Sequence, residues 1–166
     1  MKEELTQEKL KELLYYDQLT GVFKWKIKPR QSVNIGDIAG TILKKGYISI
    51  AINRKRYQAH RLAWLYVYGK WPENQIDHKD TVKHHNWIKN LREATNTQNQ
   101  QNKIVANRNN KSSGILGVQL DKRSCKYKAS IRVDYKPIHL GYFETKEEAH
   151  EAYITAKREL HPFNTI

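Results

Sequence analysis

Residues 76–102 constrain the fold of this chain more tightly than any other stretch. Ile76 leads into an Asp77-His78 corner, residues 79–89 form a polar loop, and Leu91 to Ala94 reads as a short strand. Thr95 with Gln98 three residues on is a capping box, so a helix starts there. The order strand, loop, strand, helix is a ββα unit, placed at about 74–102. His78 ends its first strand and Asn99 falls in the first turns of its helix. Asn90 lies twelve residues after His78, and Asn99 nine residues further on.

The chemistry of that set is specific. A phosphodiester is hydrolysed by an activated water, a positive charge on a non-bridging oxygen, and help for the leaving alkoxide. His78 is a candidate general base, because an imidazole is largely neutral near pH 7. Asp77 and Asn99 offer side-chain oxygens to one divalent cation, and a site completed by water and phosphate oxygens suits Mg²⁺. Asn90 is placed to orient the His78 ring. Taken singly, each asparagine is explained as a turn or cap residue; the four residues together carry the reading.

Charge points to the partner. The 166 residues carry a formal charge of +13, and the isoelectric point is near 9.7, as expected for a protein that binds a polyanion. Residues 24–61 hold ten Lys/Arg against one acid, and residues 103–143 hold nine against two. Two basic faces imply two contacts with one long polymer. The first of these, in strands over 22–59, is either a further contact surface or packing for the ββα unit. No apolar run approaches the length of a membrane span, no long basic amphipathic helix appears, and the N-terminus shows no secretory h-region. The single Cys125 leaves no internal disulfide and no cysteine-rich zinc site.

The remaining pattern fills in two parts. Thr6 caps a short helix bearing Leu10, Leu13 and Leu14. Asp17 to Gly21 is a turn, and Phe23, Trp25 and Ile27 alternate with lysines as a strand. Further strands are expected over 47–52 and 57–59, with a helix over 60–68 ended by Gly69 and Pro72. Residues 103–113 are almost all polar and read as a linker. Beyond it, Val118/Leu120, Ala129/Ile131/Val133 and residues 138–143 make three strands. A capping box at Thr145-Glu148 then starts a helix whose apolar face is Ala149, Ala152, Tyr153, Ala156 and Leu160. The fold class is α+β: a ββα unit with an N-terminal β-rich extension over 1–102, the linker, and a small domain over 114–166 of three antiparallel strands packed on one helix.

The segment from His60 to Asn102 also resembles a known family. Ile76-Asp-His78, Asn86-Trp-Ile-Lys-Asn-Leu-Arg92 and Thr95-Asn-Thr-Gln-Asn-Gln-Gln-Asn102, with His60-Arg-Leu-Ala-Trp64 and Gly69-Lys-Trp-Pro72 upstream, look like the HNH nucleases, specifically the phage homing-endonuclease branch. The resemblance implies that Asp77 and Asn99 ligate one metal (Mg²⁺, with Mn²⁺ substituting, and no zinc), that His78 is the base, and that Asn90 holds the loop and base in place. It implies a site-directed DNA endonuclease that leaves 5′-phosphate and 3′-hydroxyl ends, encoded by a phage and acting in the bacterial cytoplasm as a monomer or weak dimer on DNA. The family's last histidine is an asparagine here, as in many phage members, which implies weaker metal binding. Asn86 and Asn102 match the family pattern too, but loop and cap structure explain them equally well. His84 and His85 are read as exposed loop residues rather than a second metal site. His60 reads as a packed histidine, and His139, His150 and His161 carry no recognisable spacing.

Residues 111–163 resemble the three-stranded DNA-binding domain of plant ethylene-response factors, through Gly114-Ile-Leu-Gly-Val118, Tyr127-Lys-Ala-Ser-Ile-Arg132, Leu140-Gly-Tyr-Phe143, Thr145-Lys-Glu-Glu-Ala149 and Ala152-Tyr153. The resemblance implies a sheet in the major groove. Strand alternation picks Gln119, Lys128, Ser130 and Arg132 as the exposed set, with His139 beside them, and places Lys122, Arg123 and Lys126 at phosphates. Gln119 stands where the plant proteins have arginine, and Ser130 where they have glutamate, so base preference does not carry over. The rival readings are a catalytically silent, sequence-specific DNA-binding regulator and a basic RNA-binding protein; the presence of Asp77, His78 and Asn99 favours the enzyme over the first, and the lack of an aromatic single-strand platform disfavours the second.

Overall fold

The computed structural model describes residues 5–106 and 109–165. It is α+β and divides into two compact units, residues 1–96 and 97–166. The division falls one residue into the helix that follows the Asp-His hairpin.

The first unit begins with α1 (Gln7–Leu13), capped by the Thr6 side chain, which accepts from the Lys9 N–H. A hairpin follows, β1 (Leu14–Tyr16) against β2 (Phe23–Trp25), with Tyr16 opposite Phe23. Its turn is tied by Asp17, whose carboxylate accepts from the Leu19 and Thr20 N–H groups and the Thr20 hydroxyl. The strand expected to reach Ile27 stops at Trp25, because the Trp25 carbonyl takes the Gly36 N–H and the chain turns away. Next comes a three-stranded antiparallel sheet, β3 (Thr41–Ile42), β4 (Ile48–Ile52) and β5 (Lys55–Gln58), with β4 central. Asn53 and Arg54 both have positive φ (49° and 63°), the two-residue turn that suits the twist of a hairpin.

Helix α2 (Ala59–Tyr68) ends at Gly69, whose left-handed φ of 75° lets its N–H reach the Leu65 carbonyl. Its buried face, Ala59, Leu62, Ala63 and Leu65, joins Leu10, Leu14, Phe23 and Ile50 in one core. Tyr16 stacks on Phe23 at 4.5 Å, and Tyr66 meets both rings edge-on. β6 (Gln75–His78) and β7 (Leu91–Ala94) form the next hairpin, and α3 (Asn96–Gln101) follows directly.

The second unit is built on β8 (Val118–Asp121), β9 (Lys126–Val133) and β10 (Lys136–Phe143), antiparallel with β9 central, and α4 (Lys146–Leu160). The expected capping box is present: the Thr145 hydroxyl accepts from the Glu148 N–H, and the Glu148 carboxylate accepts from the Thr145 N–H. Val118, Ala129, Ile131, Ala149, Tyr153 and Ala156 form the interior. Gly117 is required where Tyr153 packs: a β-carbon there would lie 2.0 Å from the Tyr153 ring, at a φ of 78°.

The stretch read as a linker is tied at both ends to the second unit. The buried Lys157 ammonium donates to the Lys103 carbonyl at 2.6 Å. The Asn110 amide donates to the Ile115 and Val118 carbonyls at 2.8 Å each. Residues 107 and 108 lie outside the described part. Among the described residues no helix is long and apolar enough to cross a membrane.

Candidate active site and nucleic-acid interface

The β6–β7 register sets the geometry of the first site. His78 stands opposite Leu91 and Asp77 opposite Arg92. Directly opposed side chains in an antiparallel pair share a face, and the Arg92 guanidinium donates to Asp77 Oδ2 through Nε and through a terminal nitrogen, each at 2.9 Å. Asp77 and His78 are both buried.

The loop between the strands is rigidly cross-bonded, although the sequence reads only as polar. Asp80 and Asn90 are its hub. Asn90 Oδ1 accepts from the Asp80 N–H at 3.1 Å, and its amide donates to Asp80 Oδ1 at 2.9 Å and to the His85 carbonyl at 2.8 Å. Asp80 Oδ2 pairs with His85 Nδ1 at 2.6 Å. Burial opposes ionisation of Asp80, but bonds from His85, Asn90 and the Val82 N–H hold its carboxyl below the usual range. His85 is thus engaged with Asp80, and its ring lies 4.7 Å from that of His84. Among the described residues no cluster of three His, Cys, Asp or Glu is placed to hold an ion.

Asn90 thus bonds the loop. The residue that meets the His78 ring is Asn86: its Oδ1 lies 3.0 Å from His78 Nε2. With the amide oxygen as acceptor, the contact matches the tautomer that carries its proton on Nε2. Asn86 is fully buried. Spacing alone does not separate it from the other loop residues, and the available signal is the pair Asn86 and Asn90 bracketing residues 87–89.

Two further rings border His78. His60, from α2, lies edge-on at 5.2 Å between centroids, and Tyr47 stands 6.1 Å away. Burial pushes His60 down to about 3, with the neighbouring His78 and Arg61 adding to it. Burial also lowers His78, against the Asn86 bond and the charges of Asp80 and Asp77. Both rings are neutral near pH 7, as a proton acceptor needs.

Asn99 is half-buried in α3 and belongs to the second unit. The Asp77 carboxylate is a hard donor, which fits a hard divalent ion held mainly by water and phosphate oxygens.

In the second unit, the face of the sheet away from α4 collects the other expected residues. Gln119 pairs with Lys128, Ser130 with His139, and Arg132 with Pro137 across the ladder. Gln119 and Arg132 are exposed, and Lys128 and Ser130 are half-exposed. Lys122 and Arg123 are exposed in the β8–β9 turn, while the Lys126 ammonium is already paired with Glu144 at 2.7 Å. Alternation missed Tyr142. A bulge between His139 and Gly141 shifts the register, so Tyr142 stands opposite Lys128, half exposed, with its ring 4.9 Å from that of His139. Gly141, at a φ of 139°, supplies the backbone freedom the bulge uses.

Residues 57–101 match the family model described as HNH endonuclease. Among solved structures, one entitled for DNA binding and cleavage by the HNH homing endonuclease I-HmuI is 29% identical, with a TM-score of 0.42. The match covers 54% of this chain and 50% of that one, so the chain spans about half of that relative. A comparison with curated protein sequences gives no match.

Proposed function

We propose that this chain is a metal-dependent DNA endonuclease of the HNH kind, with a sheet domain that selects the site. The observation that carries the reading is the His78 ring. It is buried, kept neutral, and fixed through Nε2 on Asn86, inside the segment that matches the HNH endonuclease model. That arrangement suits a base that takes one proton from a water aimed at phosphorus.

In this reading Nδ1 of His78 accepts that proton, and Asn86 keeps the ring in the required tautomer. Asn90 holds the Asp80–His85 loop so that Asn86 stays in place. Asp77 and, from the resemblance, Asn99 hold the cation. A bound divalent ion supplies positive charge at the phosphate oxygen and at the departing alkoxide. Mg²⁺ is the expected ion, with Mn²⁺ as substitute, and the products carry 5′-phosphate and 3′-hydroxyl ends. A chain with one catalytic set nicks one strand; cutting both takes a dimer or a second event.

The second unit supplies recognition. Gln119, Lys128, Ser130, Arg132, His139 and Tyr142 share one basic, open face, and Lys122 and Arg123 flank it. Lysine contacts with phosphate set position, whereas Gln119 and Arg132 have the paired hydrogen-bonding groups that read base edges. This division of labour fits a phage-encoded homing enzyme acting inside its bacterial host.

One observation favours the rival, a silent DNA-binding regulator: Arg92 occupies one oxygen of Asp77. The two are separated by incubating supercoiled DNA bearing a library of sites with the protein, with Mg²⁺, Mn²⁺ or EDTA, and mapping the ends. Metal-dependent nicked or linear DNA with 5′-phosphate ends supports the enzyme. Selective binding with no cleavage under either metal supports the regulator.

A further inference from the structure

The loop that fixes His78 is itself seated on a distant part of the chain. The Tyr16 hydroxyl, at the end of β1, donates to the Asn86 carbonyl at 2.6 Å, a buried bond spanning 70 residues of sequence. Two residues on, the Ile88 N–H reaches the Gln18 carbonyl at 3.3 Å. Between them, Gly21 lies flat against the Asn86–Trp87 peptide: a β-carbon at Gly21 would stand 2.4 Å from both Asn86 C and Trp87 N, at a φ of 75°. The β1–β2 turn thus touches the backbone of residues 86–88 at three successive points. The turn is stiff, because Asp17 binds Leu19 and Thr20, and its carbonyl accepts the Gly21 N–H at 2.8 Å. Tyr16 is locked by its stacking on Phe23.

From this contact we infer that the β1–β2 hairpin is a positioning element for the His78 base, with Tyr16 and Gly21 acting through the Asn86 peptide. The inference rests on the nuclease reading. A base must be held within a fraction of an ångström of its productive position. The Nε2 bond of His78 ends on the Asn86 side chain, and a side chain is placed only as well as the peptide that bears it. The Asn86 carbonyl is fixed by a phenol rather than by a strand ladder, so the accuracy of the base depends on Tyr16. Gly21 matters for a second reason, since any larger residue pushes the Asn86–Trp87 peptide toward the His78 ring or away from it.

The test is Tyr16→Phe in the full-length protein. It removes one oxygen and leaves the stacked ring. Steady-state cleavage is measured against DNA concentration, alongside Ile52→Val, a trim in the same core. The expected result is a fall in kcat of about tenfold with KM within about twofold for Tyr16→Phe, and an unchanged kcat for Ile52→Val. Gly21→Ala is expected to lower kcat further or to prevent folding; in the second case Tyr16→Phe carries the test alone. The ¹⁵N shifts of the His78 ring supply a readout that needs no cleavage. The Nε2–H tautomer is expected to predominate in the wild type and to lose ground in Tyr16→Phe. A wild-type kcat and an unmoved His78 spectrum in Tyr16→Phe overturn the inference. If the wild type itself does not cut DNA, the nuclease reading fails, and the ring shifts still decide whether the hairpin positions His78.

Discussion

Replacing Asn90 probes the loop that holds the base, and two substitutions of nearly equal size separate the forces. Asn90→Ala removes two donated bonds and one accepted bond. One of them runs to a carboxylate, which is worth more than a neutral bond. Asp80 is exposed, so water recovers part of the loss, leaving a cost of about 2–4 kcal/mol. Asn90→Asp keeps the acceptor but sets a second carboxylate about 3 Å from Asp80, adding roughly 1–2 kcal/mol after screening. The nearly isosteric change is therefore expected to be the worse of the two at pH 7. The new carboxyl has its folded pKa raised, so its deficit shrinks below about pH 4 and grows as pH rises toward 7. Urea unfolding followed by tryptophan fluorescence measures this cleanly, because Trp25, Trp64, Trp71 and Trp87 all lie in the first unit. An Asn90→Asp protein as stable as the wild type at pH 7 would refute the assignment of Asn90 as the donor to Asp80.

Other expectations test separate parts of the account. His60 is buried neutral beside the His78 and Tyr47 rings and Arg61, with its pKa pushed down to about 3. Its contribution is full above the unfolded value of about 6.5 and is lost as pH falls toward 3; replacing it with phenylalanine should flatten that dependence in urea titrations at pH 7.5 and 5, and an unchanged slope would count against the buried neutral ring. Gly117→Ala forces a β-carbon into the Tyr153 ring and should cost the second unit at least about 2 kcal/mol; hydrogen exchange of β9 amides reads it, and wild-type protection would contradict the packing. Lys128→Ala is expected to weaken binding to all DNA sequences alike and to reduce the salt slope by about one unit, whereas Arg132→Ala should also relax site preference; identical effects of the two would argue against base reading by the sheet.

Much of this architecture is legible in the sequence because local rules decide it. The Thr6 cap, the Thr145-Glu148 box, the turn at Asp17–Gly21 and the alternation of Val118 to Val133 each depend on neighbours within a few residues. So do the Asp77-His78 corner and the helix start after Thr95. The rest depends on geometry that no local pattern carries. Asn86, rather than Asn90, meets His78 because the loop folds around the Asp80–Asn90 pair and turns at Thr81, whose φ is positive at 64°; the spacing of two asparagines does not encode that. Tyr142 reaches the open face because one bulge shifts the register, and a period of two carries no sign of where a bulge falls. The contact from Tyr16 to Asn86 joins segments 70 residues apart and leaves no periodic trace. The tethering of residues 103 and 110 hangs on single side-chain bonds from Lys157 and Asn110, which polar composition alone reads as linker.

The central claim is that His78 is the base of a metal-dependent nuclease, and the most direct test compares His78→Ala with the wild type on one selected site, measuring cleavage and DNA affinity together. The account predicts that cleavage in Mg²⁺ falls by at least about a hundredfold, that EDTA abolishes it in the wild type, and that DNA affinity stays within about threefold. Cleavage by His78→Ala at the wild-type rate would contradict it.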